Sequence, residues 1–182
     1  VNAVWTANTL TITYDGNKGH LEGSTETTKT VTYTYDVDGQ KLEGEIFVRD
    51  VPGTEANNVC SYRFLGWAET ANGSVKYAAG ADVPLTLIEE ESKAVTLYAV
   101  WEPVIHQFEC KQIKNDEDNH KWVCKNEGCK YYMIEAHHWH EVEGQSRNPS
   151  DAKYGYRTYR CDDCGMTKYD IQQATGTTKT VV

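Results

Sequence analysis

Two cysteine pairs, Cys124 with Cys129 and Cys161 with Cys164, are the residues of this 182-residue chain best suited to chemistry. They form a CxxxxC and a CxxCG, each led in by an aromatic residue, in Trp122-Val123-Cys124 and Tyr159-Arg160-Cys161. Thiolate is a soft ligand, and four thiolates can enclose one tetrahedral Zn²⁺. With 31 residues between the pairs, the pattern reads as a zinc ribbon. Imidazole suits zinc as well. His120 precedes Cys124 by four residues and His137 follows Cys129 by eight, so His120, Cys124, Cys129 and His137 make an alternative Cys₂His₂ set. Spacing alone does not choose between the two. The competing reading for a secreted protein is disulfide formation between the pairs.

The same stretch contains an internal repeat. His106-Gln107-Phe108 precedes Trp122-Val123-Cys124 just as His137-His138-Trp139 precedes Tyr159-Arg160-Cys161. A catalytic zinc needs three protein ligands, an open position and a nearby base. His138 or His140 with Glu141 is the nearest set of that kind, but no HExxH frame surrounds it. Nucleophilic catalysis has no better basis, since GxSxG is absent and Cys beside His is explained by coordination. The expectation is structural Zn²⁺ and no enzyme. Cys60 reads as a buried thiol, with a disulfide to Cys110 as the alternative.

These residues need elements to position them. Thr and Val are abundant, Tyr and Trp number twelve and five, and Met is scarce, so the fold class expected is mainly β. The formal charge of −9 argues against nucleic acid and anionic membrane, which call for a basic face. No apolar run approaches the roughly 18 residues that span a bilayer. Five of the six cysteines and five of the six histidines lie beyond Glu102-Pro103, and that composition shift marks a boundary. The organisation expected is residues 1–8 as the tail of a preceding repeat, 9–103 as a β module, 104–171 as the Cys/His-rich domain, and 172–182 as a Thr-rich linker or disordered tail.

Within the first module Leu10, Ile12 and Tyr14 alternate with Thr11 and Thr13, the period of a half-buried strand, and a turn follows at Asp15-Gly16-Asn17. Val31, Tyr33 and Tyr35 alternate likewise, and Asp38-Gly39 predicts a hairpin that continues at Ile46–Val48. Tyr62–Trp67 and Val95–Trp101 read as strands and Asn72-Gly73 as a turn. Asp82–Glu91 is the best helical candidate, with Pro84 confined to its first turn. Phe64, Trp67, Tyr77, Tyr98 and Trp101 read as core; a sugar-stacking platform is the alternative.

The order Thr11–Asn17, then Phe64-Leu65-Gly66-Trp67, then Gly73, Tyr77 and Gly80, and finally Thr96–Trp101 resembles the Listeria-Bacteroides repeat, or internalin B-repeat. The resemblance covers roughly residues 9–102 and departs from the family by a long stretch between Gly19 and Asn58. It implies a β-grasp-like module repeated along secreted or wall-attached surface proteins, mostly of Gram-positive bacteria, as spacer or adhesion unit. The paired HxF/HxW and cysteine units resemble Cys- and His-rich tandem repeats found beside such modules in surface proteins of gut Firmicutes. Val1–Trp5, VNAVW, then echoes LYAVW at 97–101 and reads as the end of a preceding module in a tandem array. The functional expectation is a non-catalytic extracellular segment of a bacterial cell-surface protein, a spacer or adhesion module with neighbouring repeats of its own chain as partners. The alternatives are a module that binds host glycan or surface protein through exposed aromatics, and a zinc hydrolase fragment.

Overall fold

The computed structural model describes residues 6–53, 58–84 and 93–176, together with 4, 56 and 87. It is mainly β, with no α-helix among the described residues. The chain divides into two compact units, Val1–Ile105 and His106–Val182. The short copy Val1–Trp5 falls almost wholly outside the described residues, as does the tail from 177 onward.

The first unit is built on a four-stranded mixed sheet. Its strands are β1 (Thr9–Asp15), β3 (Thr28–Thr34), β5 (Val59–Ala68) and β6 (Lys93–Ile105), in the order β3-β1-β6-β5, with β1 and β6 parallel at the centre. A separate two-stranded ladder joins β2 (His20–Leu21) to β4 (Phe47–Val48). The alternation in β1 sorts the two faces. Leu10, Ile12 and Tyr14 are fully buried, while Thr11 and Thr13 meet Thr32 and Thr30 of β3 through hydroxyl contacts of 3.4 Å on the other face.

Trp67 stands at the centre of the core, with Tyr14, Phe64 and Phe47 at ring distances of 4.7, 5.0 and 6.1 Å. Its indole N–H donates to the Glu43 carbonyl at 2.8 Å, so the buried ring leaves no polar atom orphaned. Phe64, Tyr77 and Trp101 pack against the same cluster, and Tyr98 is half-buried. Gly66 has φ +142°, and a Cβ there would lie 2.7 Å from the Tyr77 carbonyl oxygen. Only glycine fits where the bulged β5 strand turns to pair Trp67 with Tyr77.

Three expectations change here. The hairpin around Asp38-Gly39 does not form: β3 pairs with β1, and β4 pairs with β2. The physical reason is the Gln40 side chain, which donates to the Thr34 carbonyl at 2.6 Å and accepts from the Thr34 N–H at 3.0 Å, closing off the strand end. Most of Asp82–Glu91 lies outside the described residues, but Asp82 bridges Lys41 and the Val83 N–H donates to the Gln40 carbonyl, so the start of that segment is extended. Strand β6 also runs on through Glu102-Pro103 to Ile105.

The second unit consists of two three-stranded antiparallel meanders. One contains β7 (Phe108–Gln112), β8 (Asn119–Cys124) and β9 (Tyr132–Ala136); the other β10 (Trp139–Glu141), β11 (Gly155–Cys161) and β12 (Thr167–Gln172). They repeat each other in register. Phe108 of β7 lies opposite Cys124, and Trp139 of β10 lies opposite Cys161. The residue after each cysteine donates its N–H to the residue after each histidine, Lys125 to Gln107 at 2.7 Å and Asp162 to His138 at 3.0 Å.

Candidate metal centres

The repeat register decides which donors meet. Because Phe108 and Trp139 sit across from the first cysteine of each pair, the histidine two residues earlier is carried to the same strand end. In the first repeat His106, Cys124 and Cys129 bring one donor atom each within 4.8 Å of one another. In the second, His137, Cys161 and Cys164 converge in the same way, and His120 joins them from β8. Among the six residues expected as ligands, Cys124 and Cys129 therefore belong to one centre, and His120, His137, Cys161 and Cys164 to another. Neither the four-cysteine ribbon nor the set His120, Cys124, Cys129 and His137 assembles. His106 was overlooked as a ligand, although the HxF/HxW repeat carried the signal.

Three edges of the second centre have the lengths of a tetrahedral zinc site. Zinc bonds of about 2.0–2.1 Å to nitrogen and about 2.3 Å to sulfur require edges of about 3.3 Å between nitrogens and about 3.6 Å between nitrogen and sulfur. The observed edges are 3.3 Å from His120 Nδ1 to His137 Nδ1, 3.4 Å from His137 Nδ1 to Cys164 Sγ, and 3.6 Å from His120 Nδ1 to Cys161 Sγ. In the first centre His106 Nδ1 lies 3.5 Å from Cys129 Sγ, again the length of such an edge.

Burial points the same way. His120 and Cys161 are 0% and 1% exposed, and His137 is 7% exposed. Both imidazoles turn Nδ1 inward, and their Nε2 atoms are buried with no hydrogen-bond partner. A metal on Nδ1 fixes the proton on Nε2, and the carboxylates of Asp163 and Glu135 lie 3.8 and 3.9 Å from His120 Nε2, on the side where that N–H bears positive charge. Glu135 is itself held by the Trp122 indole N–H at 2.7 Å. With both ring protons on Nε2, the Nδ1 lone pairs of His120 and His137 face each other at 3.3 Å, and a cation between them resolves the conflict.

The turns after the cysteines prepare them to bind. Burial pushes the Cys124 thiol up, but hydrogen bonds from His106 and from the backbone N–H groups of Asn126 and Gln107 outweigh it and bring the thiol down to about 6. Burial raises Cys161 too, and the backbone N–H groups of Cys164, Asp163 and His138 hold it below the usual thiol range. The thiolate is the species that ligates, so both first cysteines are poised as donors. Positive φ at Gly128 and Gly165 lets each turn close.

The remaining candidates are placed differently. Cys110, on β7, is pushed up to about 11 by burial, with the charges of Cys164, Asp163 and Cys161 adding to it. All six cysteines are free thiols, so the expected alternative of a Cys60–Cys110 disulfide does not form. His138 and His140 are exposed; His138 hydrogen-bonds through Nδ1 to Asp163 at 2.7 Å, and His140 Nδ1 lies 2.7 Å from the Asp162 carboxylate. The CDDC segment thus interleaves with HHWH, its cysteines facing the buried centre and its aspartates the outer histidines. Comparison of the chain with models of known families, with curated proteins and with solved structures finds no match.

Proposed function

We propose that this chain is a non-catalytic extracellular segment of a bacterial cell-surface protein, a spacer or adhesion module whose C-terminal unit is stabilised by structural zinc. The observation that carries the reading is the buried set His120, His137, Cys161 and Cys164, whose donor edges match a zinc tetrahedron. Four protein donors fill that tetrahedron and leave no position for a reacting water, which favours a structural over a hydrolytic role. The sheet order β3-β1-β6-β5, with its first and last strands parallel at the centre, supports the resemblance to the internalin B-repeat. The net charge of −9 fits a soluble exterior segment.

Elemental analysis of protein purified without added chelator tests the metal assignment. Two zinc ions per chain are expected, with loss of folded structure in the C-terminal unit when they are removed. A chain that contains no zinc and unfolds identically with and without chelator overturns it. Protease treatment of intact cells of the source organism tests the location: peptides of this chain are expected in the released fraction, and their confinement to the cell interior overturns the surface assignment.

A further inference from the structure

The two centres draw on their repeats unequally. Each repeat supplies a histidine and two cysteines of its own: His106, Cys124 and Cys129 in the first, His137, Cys161 and Cys164 in the second. In the second centre one of the four donors, His120, comes from the other repeat: it stands on the middle strand of the first, four residues before Cys124. We propose that the second metal ion is held in common by both repeats and is the cross-link between their sheets, with His120 handed forward from the first meander to complete the site of the next. The proposal rests on the zinc reading above and adds to it a mechanical role: occupancy of this one centre sets the rigidity of the joint between the two meanders.

Several observations carry it. His120 is fully buried although it lies on a three-stranded sheet, and besides Trp122 of its own strand the groups against it are Cys161, His137 and His138 of the other repeat. Its neighbours across the sheet are Gln112 on β7 and Glu135 on β9. The Gln112 side chain donates to the Cys164 carbonyl at 3.3 Å, and Glu135 lies within 3.9 Å of the outer nitrogen of His120. One rung of the first sheet, Gln112-His120-Glu135, is thus turned toward the second centre. The His137 N–H also donates to the Asp118 carbonyl at 2.9 Å, so the β8–β9 ladder of the first meander runs on into a ligand candidate of the second.

The same position in the second repeat shows what a strand looks like when it has nothing to hand on. Arg157 stands four residues before Cys161 and pairs across the sheet with Asp170, as His120 pairs with Glu135. Its guanidinium donates to Asn148 at 2.7 Å and lies 3.6 Å from Glu141. Guanidinium keeps its proton and cannot ligate a cation. The donor at this position is therefore specific to the first repeat, and is not a by-product of the strand pattern that both share.

The test uses the full chain loaded with zinc, and with cobalt as a spectroscopic probe. In the wild type, residual dipolar couplings from β7–β9 and β10–β12 are expected to fit one alignment tensor. In His120→Ala one of two bound ions is expected to weaken by more than ~100-fold, beyond the loss typical of an outer-sphere partner, and the two sheets are expected to need separate tensors. His120→Cys supplies another good donor; it is expected to restore the ion and the single tensor while shifting the cobalt spectrum toward a three-thiolate site. If His120→Ala fails to fold, that spectral shift in His120→Cys still reports ligation. Two tight ions and a single tensor in His120→Ala, or an unshifted cobalt spectrum in His120→Cys, overturn the proposal. A wild type that takes up neither zinc nor cobalt instead overturns the metal reading on which it rests.

Discussion

The two units solve the same stability problem with different materials. In the first, Leu10, Ile12, Tyr14, Tyr33, Leu42, Phe47, Trp67, Leu97 and Ala99 form one buried apolar cluster. In the second, the buried side chains among the described residues are His106, His120, His137, Thr158 and Cys161, so nearly everything withdrawn from water there is able to hold a metal ion. A three-stranded meander of short strands cannot by itself remove enough apolar surface to offset the entropy of ordering its chain. Coordination can, because ligand binding free energy is folding free energy when the unfolded chain has no site. On the structural-metal reading proposed above, the hydrophobic core of one module and the paired Cys/His clusters of the other are equivalent devices, one encoded as alternation and the other as spacing.

Metal removal should break the comparison most severely. Structural zinc contributes on the order of 10–16 kcal/mol in small zinc peptides near neutral pH. A strong chelator is expected to unfold the C-terminal unit and leave the N-terminal one intact. Near-ultraviolet circular dichroism and tryptophan fluorescence can follow this, because Trp67 and Trp101 report on the first unit and Trp122 and Trp139 on the second. Acidification should act in the same direction, since cysteine and histidine donors bind as thiolate and neutral imidazole and protons compete with the ion. A chelated chain that melts in one unchanged transition would contradict the division.

The converse experiment is Trp67→Ala. Removing a fully buried indole at the centre of the aromatic cluster is expected to cost about 3–5 kcal/mol, confined to the transition of the first unit. Zinc content, read by elemental analysis, should stay at the wild-type value. Loss of zinc in this variant would mean that the two devices are not separable.

How much of this could be read from the sequence differs between the two units for a physical reason. The alternation of Leu10, Ile12 and Tyr14 was legible because a sheet with one buried face writes its register in residue type. The hairpin at Asp38-Gly39 was misread because the turn residues are present, while Gln40 caps Thr34 and sends the strand to a different partner. In the second unit each donor could be named from its type, but spacing along the chain suggested the wrong company. Which cysteines meet which histidines depends on cross-strand register, Phe108 with Cys124 and Trp139 with Cys161. His120 was legible as a donor but not as a donor to the second centre, since nothing in a linear spacing tells which sheet face a strand turns toward another repeat.

A finer cut through the second unit is Glu135→Gln. The carboxylate sits 3.9 Å from the outer nitrogen of His120 and is fixed by the Trp122 indole. Replacing it keeps the shape and removes the charge that favours the Nε2–H tautomer. Zinc affinity, measured by competition with a chromophoric chelator, is expected to fall about 10–100-fold, with stoichiometry unchanged. An affinity identical to wild type would remove Glu135 from the metal's support.

The smallest expected effect tests whether the apolar core also depends on a polar pair. Tyr14 and Tyr33 share a buried hydroxyl–hydroxyl hydrogen bond of 2.7 Å, and the Glu43 N–H donates to the Tyr14 oxygen at 3.2 Å. Burial and the bond to Tyr33 hold the Tyr14 hydroxyl far above the usual phenol range. Tyr14→Phe leaves the Tyr33 hydroxyl and the Glu43 N–H without that partner, which should cost about 1–3 kcal/mol in denaturant unfolding. Tyr14→Phe combined with Tyr33→Phe should cost less than the sum of the two single changes, because the second substitution removes the group the first had orphaned. Strict additivity would show that the hydroxyls act independently and that the first unit is held by its apolar contacts alone. Sub-additivity would show that the first unit contains a directional lock in its tyrosine pair, placed where nonspecific burial cannot fix a single packing.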